Sequence, residues 1–327
     1  MQVVTSLKEI RKIYPNDEFV VTIGNFDGIH LGHQMLIERT VKSARTLGAK
    51  SAVLTFDPHP RAVLKPDQTL LLLSNRDQKL KMFFDMKIDL TAMLDFSEVR
   101  MCTAEAFFRD QICCNIPLRG VVLGYNFRFG KDRGGSIADV RAFSKQYHFD
   151  MNIVDPCKRE SEVISSSTIR QRATLNDWGA VQEMLGRRYA ITGRVVSGDG
   201  RGSQIGFPTA NLDVEGQYLP ASSVWAVWVD VLTESRTERV SGGFDSQWKT
   251  EVQKLKGVMN IGMRPTFQTD GKMVAEVHLI GETTAVNEKI LNVTLVKKIR
   301  EEMKFENVEM LIQQINKDVS QAKQILV

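Results

Sequence analysis

Ten residues near the amino terminus, Gly24-Asn25-Phe26-Asp27-Gly28-Ile29-His30-Leu31-Gly32-His33, combine three glycines four apart with two histidines three apart. Glycine lets a backbone approach a ligand closely, and a helix start offers unpaired N–H groups carrying about half a positive charge. Together these make a phosphate seat. His30 and His33, at the helix mouth, can both face one anion, donating hydrogen bonds or, when protonated, adding charge. Chemistry on a phosphate chain is therefore indicated. The other reading of the pair is a capping histidine beside a surface histidine. No third His or Cys lies nearby to complete a zinc shell, and the Lys-Ser/Thr ending of a P-loop is absent.

The elements that must position these residues are legible on either side. Val20, Val21, Thr22 and Ile23 read as a buried strand, and Leu36, Ile37, Val41, Ala44 and Leu47 recur at helical spacing. A second strand over residues 51–56 ends at Asp57-Pro58-His59-Pro60, where two prolines hold His59 at a strand's carboxyl end; an incidental histidine in a turn is the alternative. A helix over 75–86, a strand over 88–94, a helix over 103–115 and strands over 121–124 and 151–154 continue the alternation of a helix-covered parallel sheet. Gly124 and Gly130 bracket Asn126 at a strand end, where an amide can bind adenine or ribose. Residues 131–136 read either as a phosphate-facing loop or as a charged surface turn. The hydroxyls of residues 165–168 cap a helix start, and Arg170, one turn inside, can reach a phosphate bidentately. A helix near 178–185 closes this part.

From Tyr189 the pattern changes to short strands without helices until the end, which points to a small β-barrel and a boundary near Gly186. Gly198, Gly200, Gly202 and Gly206 precede Phe207-Pro208-Thr209-Ala210-Asn211. Such an arch can cover phosphates while Thr209 and Asn211 turn oxygens towards Mg²⁺, or it can be a plain hairpin loop. Glu276 lies on an apparent strand with Val277 and Leu279; it reads either as a carboxylate that orients an alcohol for phosphorylation or as a solvent-facing strand residue.

At 327 residues, 43% hydrophobic and 25% charged, the chain has room for two ordinary domains of soluble globular composition. Its net charge of +4 is too diffuse to argue for nucleic acid, although it suits anionic small ligands. The four cysteines show no paired metal spacing and read as reduced thiols. No signal-peptide succession opens the chain and no run approaches the ~20 apolar residues of a membrane span, so a reducing cytoplasm is expected.

The segment Gly-x-Phe-Asp-Gly-x-His-x-Gly-His resembles the signature of the bacterial bifunctional riboflavin kinase/FAD synthetase family, as do residues 124–130, 164–170, 206–211, 256–267, 276–279 and 299–305. The resemblance implies an α/β Rossmann-like nucleotidyltransferase domain over residues 1–186 and a riboflavin kinase-like all-β barrel with a C-terminal helix over 187–327. It implies phosphorylation of riboflavin by ATP to FMN, then transfer of AMP from a second ATP to FMN, giving FAD and pyrophosphate, with Mg²⁺ in both steps. His30, His33 and Arg170 would stabilise charge on the phosphates, and Glu276 would act on the ribityl hydroxyl. Gly24, Asn25, Phe26, Asp27, Gly28 and Gly32 would seat the triphosphate, with Asn126, Ser166 and Ser167 positioning the nucleotide. Gly198, Gly202, Gly206 and Pro208 would cover the second ATP, Thr209 and Asn211 would hold Mg²⁺-ATP, and His59, Asn260 and Arg300 would contact flavin. The partners implied are small molecules, without nucleic acid or membrane and with self-association left open.

Three departures fall in the second half. Ser222-Ser223-Val224-Trp225-Ala226 stands where the family has Gly-Val-Tyr-Ala, residues 281–288 lack an acidic Tyr-Gly segment, and residues 233–254 are long and polar. Two other readings follow: an adenylyltransferase whose kinase half has decayed to flavin binding or that serves another acceptor, and a non-enzymatic nucleotide- or RNA-binding regulator. The regulator needs a basic, aromatic-studded barrel face, which Gly-Phe-Pro-Thr-Ala-Asn fits poorly.

Overall fold

The computed structural model describes residues 1–197, 201–214, 216–236, 244–263, 273–281 and 286–327. The chain divides into two compact units. One comprises Met1–Leu70, Arg76–Thr168 and Ser235–Gln247, the other Leu71–Asn75, Ile169–Glu234 and Trp248–Val327.

In the first unit, strands β1 (Gln2–Val4), β2 (Phe19–Ile23), β3 (Lys50–Phe56), β4 (Leu90–Leu94), β5 (Leu118–Gly124) and β6 (Asp150–Val154) pair in parallel in the order β1-β4-β3-β2-β5-β6. Every residue of β2 and β4 is buried, as a sheet covered on both faces requires. Strand order reverses between β2 and β5, so the crevice at their carboxyl ends is the sheet's switch point, where open α/β sheets bind ligands. The helix Leu31–Thr46 follows β2 and buries Ile37, Thr40 and Ala44. The helix expected over 103–115 is instead a single turn, Ala104–Ala106, running into a π-helical segment, Phe107–Cys113. That wider turn accommodates the successive buried rings Phe107 and Phe108, both of which contact Phe129. A two-stranded hairpin, β7 (Lys158–Arg159) with β8 (Glu162–Val163), follows the sheet.

The barrel strands are β9 (Ala190–Val196), β10 (Ala210–Asp213), β11 (Ser223–Arg236), β12 (Phe244–Met263), β13 (Met273–Leu279) and β14 (Ile290–Glu301). Their order is β11-β14-β9-β10-β13-β12, closed by pairing of β11 with β12, and the neighbours of known register are antiparallel. The strands are not uniformly short: β11, β12 and β14 span 14, 20 and 12 residues, and the described part of 233–254 lies in β11 and β12. A helical turn, Arg201–Gln204, also interrupts the region read as free of helices.

The helix Trp178–Leu185, read from sequence as the close of the first domain, packs within the second unit. Trp178 meets the rings of Tyr189, Tyr218 and Trp225 at 5.5, 6.4 and 5.8 Å. Trp225 also explains one departure. Its indole N–H donates to the Ser223 hydroxyl at 2.8 Å, so the buried Ser and Trp satisfy each other.

The terminal helix Val308–Ile325 buries Ala322 against Val224, Ala226, Val258 and Ile280. Asp318 on that helix receives Nε and Nη2 of Arg300 from β14 at 2.8–3.1 Å. The guanidinium assigned to flavin by resemblance thus anchors the terminal helix, because a carboxylate that is 3% exposed needs a bidentate cation.

Candidate functional sites

After β2 the chain turns sharply, with Phe26, Gly28 and Ile29 at φ of 49°, 78° and 36°. Two of these are bulky residues in a conformation that costs about 1–2 kcal/mol each. Burial offsets the strain: Phe26 and Ile29 are fully enclosed with Ile37, Val53, Phe83 and Ile88. Hydrogen bonds fix the loop's carbonyls. Thr55 Oγ1 donates to Asn25 O at 3.2 Å, Ser166 Oγ to Asp27 O at 2.9 Å, and Gln34 Nε2 to Ile29 O at 2.9 Å. The loop is a rigid cradle at the switch point.

His30 is the N-cap of the helix Leu31–Thr46, and its Nδ1 accepts the backbone N–H of His33 at 3.3 Å. The capping alternative therefore describes one nitrogen of His30, and with Nδ1 accepting, the proton of the neutral ring lies on Nε2. The two imidazoles stack, with centroids 3.7 Å apart and planes 18° from parallel. Gly32 permits this: a Cβ there would stand 3.3 Å from the His30 ring. Burial first, then the nearby His30 and Lys79, hold the His33 pKa well below its ordinary value. His33 Nδ1 is buried without a hydrogen-bond partner among the described residues.

Asn126 is exposed just past β5, beside the switch point, and Ser167 is exposed at the start of the helix Ser166–Thr174. Ser165 Oγ accepts Thr168 N–H at 3.1 Å and so caps that helix. Arg170 falls in the second unit, where its Nε donates to Leu71 O at 2.9 Å. His59 is the N-cap of Pro60–Leu64, its Nδ1 accepting Arg61 N–H at 3.1 Å. Sequence reasoning missed Lys79, which is 4% exposed and interacts with Asp57, Asp27 and His33. The available signal was its place on the buried face of its helix, four residues before Phe83.

In the barrel, register assembles the second site. Glu276 on β13 lies opposite Asn211 on β10 and opposite Asn260 on β12. Paired residues of adjacent strands point to one face, so an amide, a carboxylate and a second amide stand abreast across three strands. All three are half-buried. Next along that face, His278 Nδ1 lies 2.9 Å from Pro208 O, and its ring meets Phe207 edge-on at 5.5 Å. His278, left without a role by sequence reasoning, pins the Phe207-Pro208-Thr209 segment to β13. Gly202 O accepts the N–H of Phe207 at 2.8 Å, and a Cβ on Gly202 would stand 3.2 Å from Thr209 Oγ1. Gly206 takes φ of 88° in the same turn. Gly198 lies outside the described residues.

Comparison with known proteins matches both parts of the chain to family models. Residues 13–168 match the FAD synthetase family model and residues 185–326 the riboflavin kinase model. The bifunctional riboflavin kinase/FMN adenylyltransferase of Escherichia coli K12 is 31% identical, with 97% of each chain covered. The chain belongs to the bifunctional riboflavin kinase/FMN adenylyltransferase family. The relative of that name from Listeria monocytogenes is 32% identical over 91% of this chain and 90% of its own, and that from Buchnera aphidicola 29% over 99% and 98%. A solved structure described as a macrolide-efflux protein from Streptococcus pneumoniae shares the fold at a TM-score of 0.78 and 28% identity, covering 98% of both chains. Among the described residues no helix here is long and apolar enough to cross a membrane.

Proposed function

We propose that this chain makes FMN from riboflavin at the barrel site and FAD from FMN at the cradle, with domains over residues 1–186 and 187–327 and a cytoplasmic location. The observation that carries the reading is the presence of two polar clusters on separate scaffolds, each suited to one of the family's phosphorus transfers.

At the cradle, the backbone of residues 24–32 seats the ATP triphosphate on the start of the helix Leu31–Thr46. An oxygen of the FMN phosphate attacks the α-phosphorus, the bond to the β-phosphate oxygen breaks, and pyrophosphate leaves. His33 enters as a neutral imidazole, so it serves as a preorganised dipole towards the developing charge, and His30 offers Nε2 beside it. Asn126, Ser166 and Ser167 position the nucleotide in this reading, and His59 faces flavin.

In the barrel, Glu276 orients the ribityl hydroxyl and takes its proton as the oxygen attacks the γ-phosphorus of ATP, the bond from that phosphorus to the β-phosphate oxygen breaks, and ADP leaves. Asn260 stands beside it for the flavin, while Gly202, Gly206 and Pro208 cover the phosphates. The donor set suits Mg²⁺, since the Thr209 hydroxyl and Asn211 amide are hard oxygen ligands, and Gly202 lets the Phe207 backbone close the turn that carries Thr209. Bound with ATP, the ion neutralises phosphate charge.

The test is to incubate the purified full chain with Mg²⁺-ATP and either riboflavin or FMN, and to separate products chromatographically. FMN and FAD are expected from riboflavin, and FAD alone from FMN. FAD from FMN without phosphorylation of riboflavin would reduce the barrel to a binding module, and neither product would overturn the whole reading.

A further inference from the structure

Lys79 is a buried cation that the mechanism above does not use. It lies on the helix Arg76–Asp85 and is 4% exposed. One turn further on, Phe83 meets Phe26 of the cradle edge-to-face at 5.6 Å, and Phe26 meets His33 in the same manner at 5.1 Å. Helical residues four apart share a face and lean towards the helix start, so Lys79 flanks this chain of rings. The charged and titratable groups that face it are Asp57 after β3, Asp27 of the cradle, His33 of the neighbouring helix and Arg76 of its own.

Lysine is almost never fully buried unless its charge is paired. Burial lowers its pKa, the two aspartates oppose that effect, and Arg76 adds to it. His33 is meanwhile kept neutral, and His30 spends Nδ1 as an acceptor. The imidazoles therefore bring dipoles rather than whole charge to a site that must hold a triphosphate and an FMN phosphate. We infer that Lys79 is a further binding residue of the adenylyl-transfer site, its ammonium contacting the phosphates of ATP in the cradle; this rests on the adenylyltransferase reading. Asp57 and Asp27 attract this charge, and bound phosphate takes over that attraction.

The test compares wild type, Lys79→Gln and Lys79→Arg over pH 6–10, measuring FMN adenylylation and, in the same chains, riboflavin phosphorylation. Lys79→Gln is expected to raise the ATP KM of adenylylation roughly 10- to 100-fold, the size of a lost charge-assisted hydrogen bond, with riboflavin phosphorylation unchanged. Wild-type kcat/KM for ATP should fall at alkaline pH as the ammonium deprotonates. Lys79→Arg should move that fall upwards, since guanidinium keeps its charge. Wild-type ATP KM and an unmoved alkaline limb in both variants would overturn the inference, as would equal losses in both activities. Should Lys79→Gln fail to fold, the alkaline limb of Lys79→Arg decides. Absence of FAD formation by the wild type would instead remove the adenylyltransferase reading and this inference with it.

Discussion

The rings of His30 and His33 stack at 3.7 Å because the first caps the helix on which the second rides. One hydrogen bond, from the His33 backbone to His30 Nδ1, holds the His30 ring, and the His33 ring packs between it and the edge of Phe26. Burial, then the nearby His30 and Lys79, hold the His33 pKa well below its ordinary value, so His33 is poised as a neutral donor.

The first prediction follows from this division of labour. His33→Ala removes a preorganised group from the cradle and leaves the helix cap intact, so FMN adenylylation should fall about 10²–10³-fold in kcat. Riboflavin phosphorylation should be unaffected. His30→Ala should show the same loss plus about 1 kcal/mol of destabilisation, because the cap goes with the ring. Steady-state rates and thermal melts of the two variants separate these effects.

Acid sensitivity follows from the burial of His33. Its folded pKa lies well below the ordinary value near 6.5, so the unfolded chain binds the extra proton first. Stability from this group is whole above about pH 6.5 and declines as pH falls from there towards the depressed pKa. Denaturant midpoints measured from pH 7.5 down to 5 should fall less steeply in His33→Asn than in wild type.

The cradle was legible because glycine spacing, a β-branched run and a helical apolar stripe meet within a few residues, each reporting local backbone geometry. Lys79 was not, because its meaning depends on Phe83 meeting Phe26 across the fold, which no local pattern encodes. Likewise Glu276, Asn211 and Asn260 were singled out separately, while the register that sets them abreast joins strands distant in sequence. For Arg300 the family motif pointed to flavin, and its bond to Asp318, whose burial only the packed terminal helix creates, was not legible from local sequence.

Glu276→Gln keeps the shape and the strand register but cannot take a proton. Riboflavin phosphorylation should fall by about 10²–10⁴-fold, the usual worth of a positioned base, while FAD formation from supplied FMN persists. Chromatography of products from riboflavin and from FMN reads both at once. Parallel loss of the two activities would show that the barrel carboxylate supports the fold rather than the alcohol.

The Arg300–Asp318 pair makes a sharper claim about stability. Side chains 17% and 3% exposed are bound bidentately, and Gln314 adds a hydrogen bond to Asp318 at 2.8 Å. Removing only Asp318, as Ala, strands the guanidinium against the helix and should cost about 3–5 kcal/mol. Replacing both partners with apolar residues of similar volume, Arg300→Met with Asp318→Leu, removes the stranded charge and should recover most of that loss. Denaturant unfolding of the single and double variants measures the recovery. The riboflavin KM of the double variant then assigns Arg300: an unchanged value is expected of a clamp on the terminal helix, whereas a raised value in a fully stable protein would return the guanidinium to the flavin.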